Sequence, residues 1–286
     1  MTVELDSTIG RMIRRRGAYA NSSTKFKVGS CIGALLVLLA AGNQLFGSAG
    51  EVDIASKRLP PLTDGHLLGT DHLGRDLLSR LLASMGWSFS IALLAAVISL
   101  TIGTTVGVLA ASSTKIGRTI LTRYIDLSIS FPELILAVTI IAVIGRGFLP
   151  LTLTLGFVSW PHLARVVYAQ TLGLWTREFV LAAKLSGVRP MRIILSHILP
   201  GLRNTLLVMF AFIFADLLVA ESGLSFLGIG ALLGDPSLGN MLADGRRFIF
   251  SSSLLMLLPC IAVILAVTSA NLIGDGLSSR SKNATR

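Results

Sequence analysis

The stretch from Trp87 to Ala111 reads WSFSIALLAAVISLTIGTTVGVLAA, without a single charged side chain. A helix needs roughly 20 mostly apolar residues to cross a hydrocarbon core, and backbone groups in lipid must be paired within the segment. A run this long and this rich in Leu, Ile, Val and Ala is therefore read as a membrane helix. A barrel strand would be shorter and would alternate. Five further runs qualify: Val28 to Phe46, Tyr124 to Ile144, Phe148 to Tyr168, Thr205 to Ala220 and Leu254 to Ile273. The whole chain agrees, since 52% hydrophobic and 14% charged residues over 286 positions are too apolar for a soluble surface. The expected fold class is an all-α polytopic membrane protein with six transmembrane helices. The first run is too long for the apolar region of a cleavable signal peptide. Cys31 and Cys260 both fall inside apolar runs, where they act as small hydrophobes and suggest neither a disulfide nor a zinc framework.

Charge orients these spans. The net charge is +10, which raises nucleic-acid binding as an alternative, and the placement of the basic residues decides against it. With six spans and a cytosolic N-terminus, the outer side keeps only Lys57, Arg58, Arg75, Arg80, Arg146, Arg246 and Arg247 of the 25 Lys and Arg residues. There they are offset by acids such as Glu51, Asp53, Asp64, Asp71, Asp76, Glu221, Asp235 and Asp244. The rest, from Arg11, Arg14, Arg15 and Arg16 to Arg280, Lys282 and Arg286, lie on the cytosolic side, the bias expected of a multi-span protein. Both termini are then cytosolic. The resulting layout is a basic N-terminal segment 1–27, a membrane domain 28–275 and a cytosolic tail 276–286. The domain carries an outer loop 47–86, a cytosolic segment 177–203 and a second outer loop 221–250.

Three non-membrane segments look ordered. In the first, Gly69-Thr70-Asp71-His72-Leu73-Gly74-Arg75-Asp76, glycines permit unusual backbone angles and Thr70 or Asp71 can cap a turn. Asp76 stands four residues before Arg80, the spacing of a helical ion pair. A tight loop over the outer mouth is the plainer reading, and a substrate or metal contact through His72 the sharper one. In the second, Arg177 to Ser186 reads as a short helix with Glu178 in its first turn. Gly187 ends it, and a second helical stretch from Met191 stops at Pro200 and Gly201. Such a helix-turn-helix is either a rigid knob whose Ala182 and Ala183 let a partner groove approach closely, or an amphipathic interfacial connector. In the third, Ser225-Phe226-Leu227-Gly228-Ile229-Gly230 suggests a turn followed by a short helical or re-entrant piece. It fails as a phosphate cradle because no strand precedes it and no GK[ST] follows.

Within the spans, Asp126, Glu133 and Asp216 would each cost about 2.5–3.5 kcal/mol at the centre of an isolated helix, so they are expected to face protein or water. Pairing, for instance with Arg123, is the plainer account, and a polar translocation path the alternative. Their dispersal offers no catalytic constellation, which leaves a membrane enzyme without support.

Glu178-Phe179-Val180-Leu181-Ala182-Ala183-Lys184-Leu185-Ser186-Gly187 with His197-Ile198-Leu199-Pro200 resembles the EAA loop of bacterial ABC importer permeases. The Gly69-to-Asp76 and Ser225-to-Gly230 motifs are similar to those of the second permease subunit of dipeptide, oligopeptide and nickel importers. The likeness covers roughly residues 60 to 277, and departs where a strict triplet would put Glu at Leu181. The resemblance implies a type I ABC importer permease fold in the bacterial cytoplasmic membrane, with Glu178, Phe179, Ala182, Ala183, Lys184, Gly187 and Pro200 docking on an ATPase. It further implies a second permease chain, two ATPase subunits that hold the ATP and Mg, and an extracytoplasmic substrate-binding protein. No cofactor is expected in this chain. Peptides are the first expected cargo and nickel or a metal chelate the second. A proton-driven transporter, which would use its buried charges instead of an ATPase, stays as a lower alternative.

Overall fold

The computed structural model describes residues 24–42, 52–63, 65–250 and 252–284. Among these, the only extended pairings are isolated bridges, Thr63 with His66 and Thr70 with Asp76. The other regular structure among the described residues is helical. It runs through α1 (Thr24–Ala41), α2 (Leu77–Ser112), α3 (Lys115–Ser130), α4 (Glu133–Ile144), α5 (Phe148–Val158) and α6 (Trp160–Trp175). There follow α7 (Glu178–Leu185), α8 (Pro190–Ile193), a π-turn (Ile194–Ile198), α9 (Leu199–Phe226), α10 (Leu238–Arg246) and α11 (Leu254–Ala284).

Helix α2 is the axis on which the others pack, and its glycines explain how closely. A Cβ on Gly103 would lie 2.9 Å from the Trp160 carbonyl oxygen, and one on Gly107 2.6 Å from that of Ala164. The two glycines stand one turn apart, so the α6 backbone rests directly on α2, the small-residue packing that stands in for a hydrophobic drive inside lipid. Each glycine costs the helix about 0.5–1 kcal/mol against alanine. The close contact along the whole crossing offsets that cost. Gly156 of α5 meets α2 in the same way, 3.1 Å from the Ala95 carbonyl oxygen. On the far side, Gly29 and Gly33 of α1 face α11, where the Ser269 hydroxyl donates to the Gly29 carbonyl at 2.8 Å. Ile91, Leu155, Leu163 and Leu218, from α2, α5, α6 and α9, are buried together at the centre.

Four helical runs are long and apolar enough to cross a membrane: α1, α2, the run Pro190–Phe226 and α11. The pair α3 and α4 makes a fifth if its two halves count as one span. The expected span Tyr124 to Ile144 is not one straight helix. Its halves meet at 84°, because the residue before a proline avoids the helical region and Phe131, ahead of Pro132, is extended at φ −86°, ψ 131°. The expected span Phe148 to Tyr168 is likewise two helices, α5 and α6, broken at Ser159. Pro161 sits in the first turn of α6, where a missing N–H needs no partner.

The ends differ as well. Helix α2 starts at Leu77, inside the expected loop, because the Asp76 carboxylate caps it by accepting from the Ser79 N–H at 2.8 Å. The expected stop at Pro200 and Gly201 does not occur, and the helix continues to Phe226. The π-turn lets the Leu199 N–H bond to the Ile194 carbonyl, and the widened ladder admits a proline that would otherwise break it. Residues 276–284 of the expected cytosolic tail extend α11. The first 23 residues, the stretch 43–51 and the last two residues lie outside the described residues, and with them most of the basic N-terminal segment and the end of the first expected span.

Candidate functional site

The α7–α8 segment is a knob with two unlike faces. Its inward face is Val180, wholly buried, and Ala183, packed on the core. Its outward face carries Glu178, Phe179, Leu181 and Ala182, and ends on Leu185, which is 90% exposed. The Lys184 ammonium lies 4.4 Å from the centre of the Trp175 ring, and Phe179 stacks on His197 at 6.0 Å. Gly187, at φ +73°, ends α7. The Gly187 N–H bonds to Lys184 O at 3.0 Å and the Val188 N–H to Ala183 O at 3.1 Å, the paired bonds of a Schellman cap. Pro190 then opens α8. Met191 and Leu195 continue the exposed apolar surface, with Pro200 exposed beyond them. Of the expected residues, Glu178, Phe179, Ala182 and Pro200 are therefore open to a partner, while Ala183 and Gly187 set the shape.

The motif from Gly69 to Asp76 forms a knot at the start of α2. Asp71 is wholly buried and accepts from the Leu73 N–H at 2.8 Å, the Arg75 N–H at 3.0 Å, Arg75 Nε at 2.7 Å and an Arg80 nitrogen at 3.0 Å. Burial pushes its carboxyl up, but the Arg75 and Leu73 amides and the Arg75 charge outweigh that and hold it below the ordinary carboxylate range. Arg80 also pairs with Asp244 of α10. The expected Asp76–Arg80 pair does not form, because Asp71 and Asp244 capture Arg80, while Asp76 caps α2 and binds His66 Nδ1 at 2.8 Å. Thr70 accepts from the Leu59 N–H at 2.8 Å. Gly69 and Gly74 both have positive φ, and a Cβ on Gly74 would fall 1.7 Å from the Asp53 carbonyl oxygen. His72 stacks on Phe248 at 4.8 Å. Among the described residues no three His, Cys, Asp or Glu side chains gather as a metal site.

The third motif ends α9 by the same Schellman geometry, with Gly228 at φ +76° and the Ile229 N–H bonded to Leu224 O at 2.9 Å. Ser225 is its hinge pin. Its hydroxyl donates to Glu221 at 2.9 Å and accepts from the Ala231 N–H at 3.1 Å, and a Cβ on Gly230 would meet it at 2.6 Å. Phe226 lies under the Arg246 guanidinium at 5.4 Å, and Leu227 is exposed.

Known proteins match this arrangement along most of its length. The family described as "Binding-protein-dependent transport system inner membrane component" matches residues 103–283. The chain belongs to that family. A Brucella suis chain (biovar 1, strain 1330) named as a peptide transport system permease protein is 37% identical over 94% of this chain and 88% of its own length. The dipeptide transport system permease protein DppC of Alkalihalophilus pseudofirmus is 32% identical, covering 87% of this chain and 83% of the relative. The nickel transport system permease protein NikC of Escherichia coli K12 is also 32% identical, covering 91% and 94%. The protein is thus a multi-pass permease subunit of an ABC importer, with the type I permease fold. Permeases of this kind imply ATPase and substrate-binding partners in general.

In this permease the charges expected within the spans share one face. Asp126 pairs with Arg165 of α6, not with Arg123, because α3 packs alongside α6. Glu133 accepts from the Ser159 hydroxyl at the α5–α6 break. Asp216 is exposed on α9 within electrostatic reach of Glu133 and His162. Sequence reasoning missed the partners that complete these sites. Asp244, Ser159 and Arg165 come from distant elements and leave no local signal. Glu221 was assigned to an outer loop, yet it is wholly buried in α9 against Ser222, Ser225 and Ser88. Its spacing of four residues from Ser225 was the available clue.

Proposed function

We propose that this permease imports short peptides as half of a path completed by a second permease chain. The α7–α8 knob sits on one of two cytosolic ATPases, which hold the ATP and Mg, and the knots at 52–80 and 221–250 lie on the outer side near the binding protein. Both termini are then cytosolic. The observation that carries this reading is the outward face of α7, where Leu185, Leu181 and Phe179 stay exposed on an eight-residue helix too short to span a membrane and flanked by Arg177, Arg189 and Arg192. Such a face needs a protein to cover it. Its rigid turn at Gly187 transmits a push on α7 to α8 and, through the π-turn, into α9.

The polar face bearing Asp126–Arg165, Glu133, His162 and Asp216 fits a water-lined path, since charges at that depth are too costly against lipid. Closing of the ATPase pair would move the knob and tilt α9 with Asp216 relative to α4 and α6, switching the side to which the path opens. Peptide is the preferred cargo because the relatives named for peptide systems reach 37% identity while the nickel relative stands at 32%.

The test is uptake of a labelled dipeptide by vesicles holding the complete importer, with Ala182→Trp as the probe. Ala182 is exposed, so the indole does not disturb this chain's own packing. Uptake and co-purification of the ATPases should fall by at least about tenfold, the usual scale for blocking a buried contact, while the permease still inserts. Wild-type retention of the ATPases would sink the docking assignment. Collapse of uptake with the proton gradient but not with ATP would instead support the secondary-transporter reading, and competition by nickel alone would replace peptide as cargo.

A further inference from the structure

Two aromatic contacts tie α7 to different helices. Phe179, in its first turn, stacks at 6.0 Å on His197, which belongs to the π-turn that runs on into α9. Lys184, in its last turn, places its ammonium 4.4 Å from the centre of the Trp175 ring at the end of α6. The two ties differ in what stands behind them. A π-turn interrupts the regular ladder and is a place where a helix can bend. Trp175 is backed by a close-packed seam.

That seam is the α2–α6 pair, in which Gly103 and Gly107 let the α6 backbone rest on α2. Trp175 extends it to the end of both helices. Its indole N–H donates at 3.2 Å to the hydroxyl of Ser112, the last residue of α2, while its ring face receives Lys184 from α7. An indole has one donor and no acceptor, and its face attracts a cation, so one side chain serves both neighbours. The rest of the ring packs against the core. Only Thr176 and Arg177 separate Trp175 from α7, and Arg177, extended at φ −72°, ψ 145°, turns the chain between them. Lys184, nearly two turns into α7, therefore reaches back to the ring across that corner.

We propose, on the strength of the ATPase dock assigned to α7–α8, that Trp175 is the fulcrum on which α7 turns. It braces the knob against the α2–α6 pair, so that a push on the outward face of α7 displaces His197 and α9. Closely packed side chains transmit such a load with little compression. Without the brace the same push would swing the last turn of α6 instead, and ATP would be hydrolysed without opening the path. Trp175 acts through Lys184 and Ser112 and touches neither cargo nor nucleotide, which makes it a positioning residue.

The test uses vesicles holding the complete importer and two readouts. One is ATP hydrolysed per labelled dipeptide taken up. The other needs no cargo: a nitroxide pair on the exposed residues Leu109 of α2 and Leu207 of α9, in a background with Cys31 and Cys260 replaced by serine, reads the tilt of α9 when vanadate traps the ATPases. Trp175→Phe keeps a ring for Lys184 but loses the N–H, and Ser112→Ala loses its acceptor. Each should raise the ATP ratio about fivefold, the scale of one hydrogen bond, and lose most of the wild-type distance shift. The ATPases should still co-purify at the wild-type level, since neither residue lies on the outward face of α7. The double variant should do no more than either single one, because both remove the same bond. Ser112→Thr, which keeps the hydroxyl, should behave as the wild type. Should Trp175→Phe fail to assemble, Ser112→Ala carries the test alone, because it removes one oxygen from a partly exposed side chain.

A wild-type ratio and a full shift in the single variants, additive effects in the double variant, or the same defect in Ser112→Thr would overturn the fulcrum. Loss of the ATPases from Trp175→Phe would overturn it as well, by making Trp175 part of the dock. The dock is judged apart from these: retention of the ATPases by Ala182→Trp removes it, whatever the Trp175 variants do.

Discussion

Gly74 and Gly187 occupy the same region of backbone space, at φ +78° and +73°, yet they stand in opposite surroundings. Around Gly74 the chain has closed on itself: the Asp53 carbonyl fills the space of a side chain, and Asp71 beside it is wholly buried under two arginines. Around Gly187 a Cβ would meet nothing within 4 Å. One region is closed within the chain, with the charges of Asp71, Arg75 and Arg80 paired. The other holds its shape but leaves Leu185, Met191 and Leu195 bare. The difference separates a segment whose interactions are internal from one whose interactions wait for another protein.

That contrast can be broken by substitution. Gly74→Ala should have the largest effect on stability, because the methyl would overlap the Asp53 carbonyl and the loop cannot keep its path. Folded permease recovered from membranes should drop severely, and near-normal recovery would show that the knot is looser than its geometry. Asp71→Asn comes next. Leaving Arg75 and Arg80 around an uncharged buried group should cost about 3–5 kcal/mol, read as a large fall in the thermal midpoint of the assembled importer.

Acid sharpens the same point. The Asp71 carboxyl is depressed below its unfolded value of about 3.9, so its contribution is fully present above that value and is lost as pH falls through the depressed one. The thermal midpoint of the wild type should hold between about pH 7 and 5 and then decline below about pH 4. In Asp71→Asn that decline should be shallower.

Gly187→Ala should cost only the left-handed backbone strain, about 1–2 kcal/mol, with uptake falling more than stability because the angle between α7 and α8 changes. A thermal loss as great as that of Gly74→Ala would erase the distinction. Leu185→Ala should be smallest, within about 0.5 kcal/mol on the isolated permease, yet it should weaken capture of the ATPases.

Most of the spans were legible in the sequence because lipid imposes one requirement, a long apolar run with its backbone paired, that composition reports directly. The α7 helix and its stop were legible for a similar reason: Glu178 at the start and Gly187 after Ser186 are local signals. Breaks inside apolar runs were not. Pro132 and Pro161 were visible, but whether a proline bends a span by 84° or merely opens a new helix depends on what packs beside it. Pro200 shows the reverse, a proline carried within a continuous helical run because a π-turn precedes it.

The sequence by itself determined that the chain lives in a membrane, where its polar segments lie, and which motifs it shares with importer permeases. All of these depend on residues close together along the chain. Only the tertiary structure decided that Arg80 leaves Asp76 for Asp71 and Asp244, that Asp126 finds Arg165, that Glu221 is buried and that Leu185 is not. A charged side chain chooses among partners by distance in space, and an apolar one is buried or bare according to which distant helix reaches it. Neither choice is written in the neighbours that precede and follow it.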